Sequence, residues 1–147
     1  AGYVRDYGVT FPRLRQAELG FTFDAGSCLL VGQIDLVRMH EDGTLEIVDF
    51  KTRAAVAIAL TRTDLQLGLY ALATEGRLNS PIGHLTLHLL ADGREVHLDW
   101  NPEQRAKVQR KLEEVTQGLA SGDRRATPGR DCRECEFRSL CPYSEGR

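Results

Sequence analysis

The segment His40-Glu41-Asp42-Gly43-Thr44 decides much of what this chain can become. It reads as a hairpin loop of three residues, Glu41, Asp42 and Gly43, with Gly43 where a left-handed residue is needed. Such a loop sets His40 opposite Thr44. Counted back along both strands, it also sets Asp35 opposite Asp49. A two-residue loop would instead set Asp35 against Phe50, on opposite faces. The turn chemistry therefore predicts two carboxylates whose Cβ atoms are roughly 4.5–5.5 Å apart. Carboxylates that close repel each other unless a divalent ion sits between them.

The flanking strands sharpen this expectation. Cys28 to Val37 is almost continuously apolar and reads as a strand covered on both faces, interrupted by Asp35. Burying even a neutral polar group without a partner costs on the order of 2–7 kcal/mol, so a bound cation is the expected compensation. Lys51 follows Asp49 by two residues and projects from the same face. Two hard oxygen ligands beside an ammonium suit Mg²⁺ or Mn²⁺. The set fits metal-assisted phosphodiester hydrolysis, in which the ion polarises the phosphoryl group while the lysine orients water or stabilises developing charge. An isolated D-x-K is more often a structural ion pair. The second acid at the paired position moves the reading toward chemistry.

The chain of 147 residues can bury one hydrophobic core. No stretch is long and apolar enough to span a membrane and no signal peptide is visible, which places the chain in the cytoplasm as an expectation. The first residue is Ala1 rather than Met, so the chain reads as a fragment or a trimmed form. A net charge of −2 is low for a free-standing nonspecific DNA binder, so any nucleic-acid contact must be local or supplied by another domain.

The predicted elements are strands at 17–24, 28–39, 44–52, 84–90 and 94–100, with a helix over 64–75 capped by Thr63 and another opening at Asn101-Pro102-Glu103-Gln104 and running to about Leu119. That order predicts an α/β fold around a mixed sheet. Gln66 and Tyr70, four apart, share a helix face. Spacing alone leaves open whether they are a polar core edge or point at the Asp/Lys surface. A tail follows, with Cys132, Cys135 and Cys141 spaced by two and five intervening residues and then Pro142. That pattern suggests thiolate ligation rather than disulfides. Three thiolates need a fourth ligand, either Cys28 or a residue upstream of Ala1. Arg124, Arg125, Arg130, Arg133 and Arg138 are either a phosphate-tracking strip or a solvated tail balanced by Asp123, Asp131, Glu134 and Glu136.

Gly32-x-Ile34-Asp35, Val48-Asp49-Phe50-Lys51-Thr52, Gln66-Leu67-x-Leu69-Tyr70-Ala71 and the tail closing on Cys141-Pro142 together resemble the RecB-type nucleases of the PD-(D/E)XK superfamily. That group includes the C-terminal nuclease domains of helicase-nucleases and cysteine-cluster exonucleases of CRISPR adaptation. The resemblance implies a restriction-endonuclease-like core over residues 1–126 and a cluster-binding tail over 127–147. It implies Mg²⁺ or Mn²⁺ held by Asp35, Asp49 and the Phe50 carbonyl, with Lys51 as catalytic lysine and Gln66 and Tyr70 beside the site. It implies a 4Fe-4S cluster on Cys132, Cys135 and Cys141, with Zn²⁺ as the alternative. Arg124, Arg125, Arg130 and Arg138 are the expected DNA contacts, and the expected partners are DNA ends or single strands and a helicase domain or subunit. The function so implied is a DNA end-processing exonuclease of recombination and repair; the alternative is a non-catalytic DNA-anchoring scaffold with the same fold. Two features depart from the family: no His precedes Asp35, and no Cys precedes Cys28. Both point to a missing N-terminal portion.

Overall fold

The computed structural model describes residues 13–52, 58–75, 77–78, 80–91, 93–126, 128–133 and 135–144, with backbone alone for 58–64, 130 and 131. The elements are β1 (Leu14–Asp24), β2 (Leu29–Met39), β3 (Leu45–Lys51), α1 (Ile58–Glu75), β4 (Ile82–Leu89), β5 (Arg94–Leu98), α2 (Pro102–Ala120) and a short 3₁₀ turn, Arg130–Arg133. Five strands form one sheet in the order β1-β2-β3-β4-β5. All neighbours are antiparallel except β3 and β4, which run parallel. Parallel neighbours need a crossover, and α1 supplies it. The result is the expected α/β fold around a mixed sheet.

The β2–β3 hairpin has the loop that its sequence predicts. The His40 N–H donates to the Thr44 carbonyl at 2.8 Å, and the Gly43 N–H to the His40 carbonyl at 3.0 Å. Gly43 has φ 82, a conformation that a Cβ would strain. Asp42 Oδ1 accepts from the Thr44 N–H at 2.9 Å and from its hydroxyl at 2.7 Å, which stiffens the turn. Leu36 consequently pairs with Val48, and Arg38 with Glu46. One step further in that register, Asp35 stands level with Asp49.

Two expectations need correction. β2 is not covered on both faces: Leu29 is 65% exposed and Val31 78%. Only Leu36–Met39 of β2 pair with β3, so the first half of the strand forms a two-stranded ribbon with β1. The apolar run reflects strand propensity as much as burial. The first helix begins at Ile58 rather than at Asp64, with Thr63 inside it. Ala59, Leu60 and Arg62 are good helix formers, and no Gly or Pro stands between Ile58 and Thr63 to stop the helix extending backward. A cap by the Thr63 side chain lies outside the described residues.

α1 packs on β1, β3 and β4, and its Leu67, Tyr70 and Ala71 share one buried core with Ile34, Ile47 and Leu87. Each fully buried Leu or Ile contributes roughly 1.5–3 kcal/mol. Ile34 and Val37, three apart in β2, both belong to this core. A strictly alternating strand would separate them, so the pleat turns over at the level of Asp35. Glu18, across from Asp35 on β1, has φ 52. That left-handed residue marks the same irregularity on the partner strand.

α2 starts as its sequence indicates. Asn101 Oδ1 accepts from the Gln104 N–H at 3.0 Å, and Pro102 opens the first turn. Its Val108 fits against Gly68 of α1, where a Cβ would lie 2.5 Å from Val108 Cγ2.

The other face of β3 and β4 carries a buried polar network. Arg38 Nη2 donates to Glu46 Oε1 at 3.0 Å, and the Thr86 hydroxyl donates to the same oxygen at 2.7 Å. His40 Nε2 lies 3.1 Å from Glu46 Oε2. Burial alone would raise the Glu46 pKa, but the Thr86 hydrogen bond, the Arg38 charge and bonds from Arg38 and His40 outweigh it and hold the pKa below its ordinary value.

Candidate active site

β3 delivers Asp49 and Lys51 to one face, and the hairpin brings Asp35 alongside. Asp35 is half-buried, and its Oδ2 accepts a hydrogen bond from the Phe50 N–H at 2.8 Å. Part of the compensation that the sequence assigned to a cation therefore comes from a backbone amide. Asp49 is 2% exposed. Lys51 Nζ lies 2.6 Å from Asp49 Oδ2. That distance makes an ion pair, yet no hydrogen bond of good geometry reaches Oδ2.

Gln66 closes the group. Its Oε1 accepts from Lys51 Nζ at 3.0 Å. Its Nε2 donates to Asp49 Oδ1 at 3.3 Å and to the Tyr70 hydroxyl at 2.7 Å. The helical spacing of Gln66 and Tyr70 therefore serves the site rather than a polar core edge. Asp35, Asp49, Lys51, Gln66 and Tyr70 form one assembly drawn from β2, β3 and α1.

Burial pushes the Asp49 carboxyl above its ordinary pKa; pairing with Lys51 opposes that shift and the nearby charge of Asp35 adds to it. A buried carboxylate offset by one ammonium, next to a second carboxylate, leaves more negative charge than the protein alone balances. It fits a hard divalent cation. Asp35 and Asp49 would hold Mg²⁺ or Mn²⁺, with the Phe50 carbonyl as the third oxygen expected from the sequence. Among the described residues, no three His, Cys, Asp or Glu side chains are grouped so as to hold a metal ion.

The same observation bears on the tail. Cys132, Cys135 and Cys141 form no disulfide and, among the described residues, are not gathered into a ligand group; Cys28, just before β2, is also free. Arg125 is tied to its neighbour: Nε lies 3.0 Å from both Asp123 oxygens. Arg124 and Arg138 are exposed, and the Arg130 side chain lies outside the described residues.

A cleft of about 540 Å³ lies elsewhere, lined by Glu75, Leu78, Ile82, Trp100 and Arg105. Ile82 opens β4, whereas Asp49 pairs with Leu87 further along it. The acids and Lys51 are not among that cleft's lining residues.

Comparison with known proteins agrees with this geometry. No curated protein matches the chain in sequence. Among solved structures, SSO0001 superposes with a TM-score of 0.60 at 19% identity, over 96% of this chain and 66% of that one. A Eubacterium rectale protein provisionally named an exonuclease superposes with a TM-score of 0.59 at 13% identity, over 99% of this chain and 59% of that one. At such identities the likeness shows the fold, and this chain spans about three fifths to two thirds of those proteins' length. The family model for the PD-(D/E)XK nuclease superfamily matches residues 4–142. Nearly the whole chain, the site included, falls within that match, and the chain belongs to the PD-(D/E)XK nuclease superfamily.

Proposed function

We propose that the chain is a metal-dependent DNA nuclease domain that works on strand ends as an exonuclease, within a larger recombination or repair protein. One observation carries the reading: the buried Asp49 carboxylate is paired with Lys51 at 2.6 Å and lies within reach of the Asp35 charge. A bound Mg²⁺ or Mn²⁺ would neutralise phosphodiester charge and acidify a water molecule. Asp35 and Asp49 present the oxygens for it, and the Phe50 N–H fixes the rotamer of Asp35. Lys51, whose side chain is 29% exposed, reaches solvent from the buried acid and can donate to a phosphoryl oxygen as charge develops there. Gln66 holds the lysine and the acid at a fixed separation.

The exonuclease mode draws support from the provisional name of the Eubacterium rectale protein. Arg124 and Arg138, exposed beyond α2, are the proposed backbone contacts. The spacing of Cys132, Cys135 and Cys141 supports a 4Fe-4S cluster, or Zn²⁺, once a fourth ligand joins them; iron, sulfide and zinc analysis of the purified protein decides between these and neither. The test of the main reading is cleavage of end-labelled single- and double-stranded DNA with Mg²⁺ or Mn²⁺, in wild type and in Lys51→Ala. Release of mononucleotides that EDTA and the substitution both abolish is expected. DNA binding without turnover over several metals would support the scaffold instead.

A further inference from the structure

Gly32, in the first motif, is not needed for its backbone angles, because it is not among the glycines with positive φ. It is needed for room. A Cβ there would lie 2.6 Å from Phe21 Cζ and 2.7 Å from Phe21 Cε1. Phe21 is the residue paired with Gly32 across β1 and β2, and its ring lies over the bare backbone. The ring also meets Tyr70 edge-on, with centroids 5.7 Å apart and planes at 70°. Tyr70 in turn accepts from Gln66, which touches both Asp49 and Lys51. A continuous line of contact therefore runs from Gly32 through Phe21, Tyr70 and Gln66 to the acid and the ammonium.

The strands are shaped to allow this. The left-handed Glu18 lies three residues before Phe21, and the pleat of β2 turns over at the level of Asp35. Leu19 and Phe21 thereby join Ile34 in the core that α1 covers.

We propose that Phe21 is a positioning residue for the Asp49–Lys51 pair: its ring, seated on the bare backbone of Gly32, is the stop against which Tyr70 rests, and so sets the bridging amide of Gln66. The proposal rests on the nuclease reading above. Aromatic pairs prefer an edge-on arrangement, so the ring contributes direction as well as bulk. Without it, the Tyr70 phenol can move toward β2, Gln66 loses its fixed acceptor, and Lys51 keeps only the acid as a partner. Displacements of about 1 Å at such a group can cost up to a hundredfold in rate.

The test uses the full chain and compares Phe21→Leu, Phe21→Met, Gly32→Ala and Tyr70→Phe with Val108→Ala, an equally buried control on α2. All are assayed below their melting temperatures. Phe21→Leu and Gly32→Ala are expected to lower kcat roughly ten- to a hundredfold with KM for DNA unchanged, while Val108→Ala changes neither. Combined with Tyr70→Phe, Phe21→Leu adds little further loss, because both act through Gln66. The side-chain amide resonance of Gln66 shifts in the Phe21 variants and stays in place in Val108→Ala. Phe21→Met covers the case where the leucine variant does not fold. Wild-type kcat in a folded Phe21 variant, full additivity with Tyr70→Phe, or an unmoved Gln66 resonance would each overturn the proposal. If the wild type itself does not cleave, the nuclease reading fails, and the amide resonance still decides the part played by Phe21.

Discussion

The backbone N–H of Phe50 donates to Asp35 Oδ2 at 2.8 Å, across the point where the β2–β3 ladder ends. The bond ties the strand that carries Asp49 and Lys51 to the acid on its neighbour. It means that Asp35 is oriented before any cation arrives, which reduces what a metal must organise.

Lys51→Ala is expected to reduce cleavage by at least about a hundredfold, as the loss of a charge-stabilising donor does elsewhere. Mn²⁺ binding should persist or tighten, because the ammonium 2.6 Å from Asp49 Oδ2 competes with a cation. Asp49→Asn should lose both cleavage and Mn²⁺ binding. Calorimetric titration of the two variants checks this, and full cleavage by both would refute the site.

The raised pKa of Asp49 has a stability consequence of definite sign. The ionised carboxylate is worse off in the folded chain, so its contribution is most favourable below the unfolded value of 3.8 and is lost as pH rises through the higher folded value. Without divalent ions, Asp49→Asn should therefore melt above wild type at neutral pH, and the gap should narrow as pH falls toward 3.8. With excess Mg²⁺ the order reverses, since only the wild type gains from the ion. Thermal melts at several pH values, with and without Mg²⁺, measure both effects.

Glu46 behaves oppositely. Its lowered pKa contributes stability above the unfolded value of 4.5, and that stability disappears as pH falls through the folded value. Arg38→Met leaves a buried carboxylate without its main cation and should cost roughly 3–5 kcal/mol in urea unfolding. Replacing both, with Glu46→Leu added, should recover much of that loss.

Gly68→Ala offers a case where local propensity and packing disagree. In an open helix the change would stabilise by roughly 1 kcal/mol. Here the new methyl would meet Val108 Cγ2 at 2.5 Å. Overpacking costs about 1–3 kcal/mol, so a lower melting temperature is expected, relieved in part by adding Val108→Ala.

What could be read from the sequence followed from local rules. Gly43 and a three-residue loop determine the register that sets Asp35 level with Asp49, and Asn101 with Pro102 marks the start of α2. The partners of those residues are close in sequence, so the signal is complete in a few letters. Glu46 with Thr86 and Phe21 with Tyr70 are pairs from distant segments, and nothing near either residue names its partner. Phe21 reads simply as one of the apolar residues of an alternating strand. Likewise, Leu29 and Val31 read as buried because composition does not reveal that β3 is shorter than β2.

The sheet consists of two antiparallel sets, β1-β2-β3 and β4-β5, joined along the single parallel contact between β3 and β4. Each set can form from neighbouring turns, but the joint between them must wait for the intervening helix to fold back, a slower closure. The strand that carries Asp49 and Lys51 lies on that seam, and the helix that closes it carries Gln66 and Tyr70. Nuclease competence should thus be the last property regained on refolding, lagging behind the recovery of secondary structure.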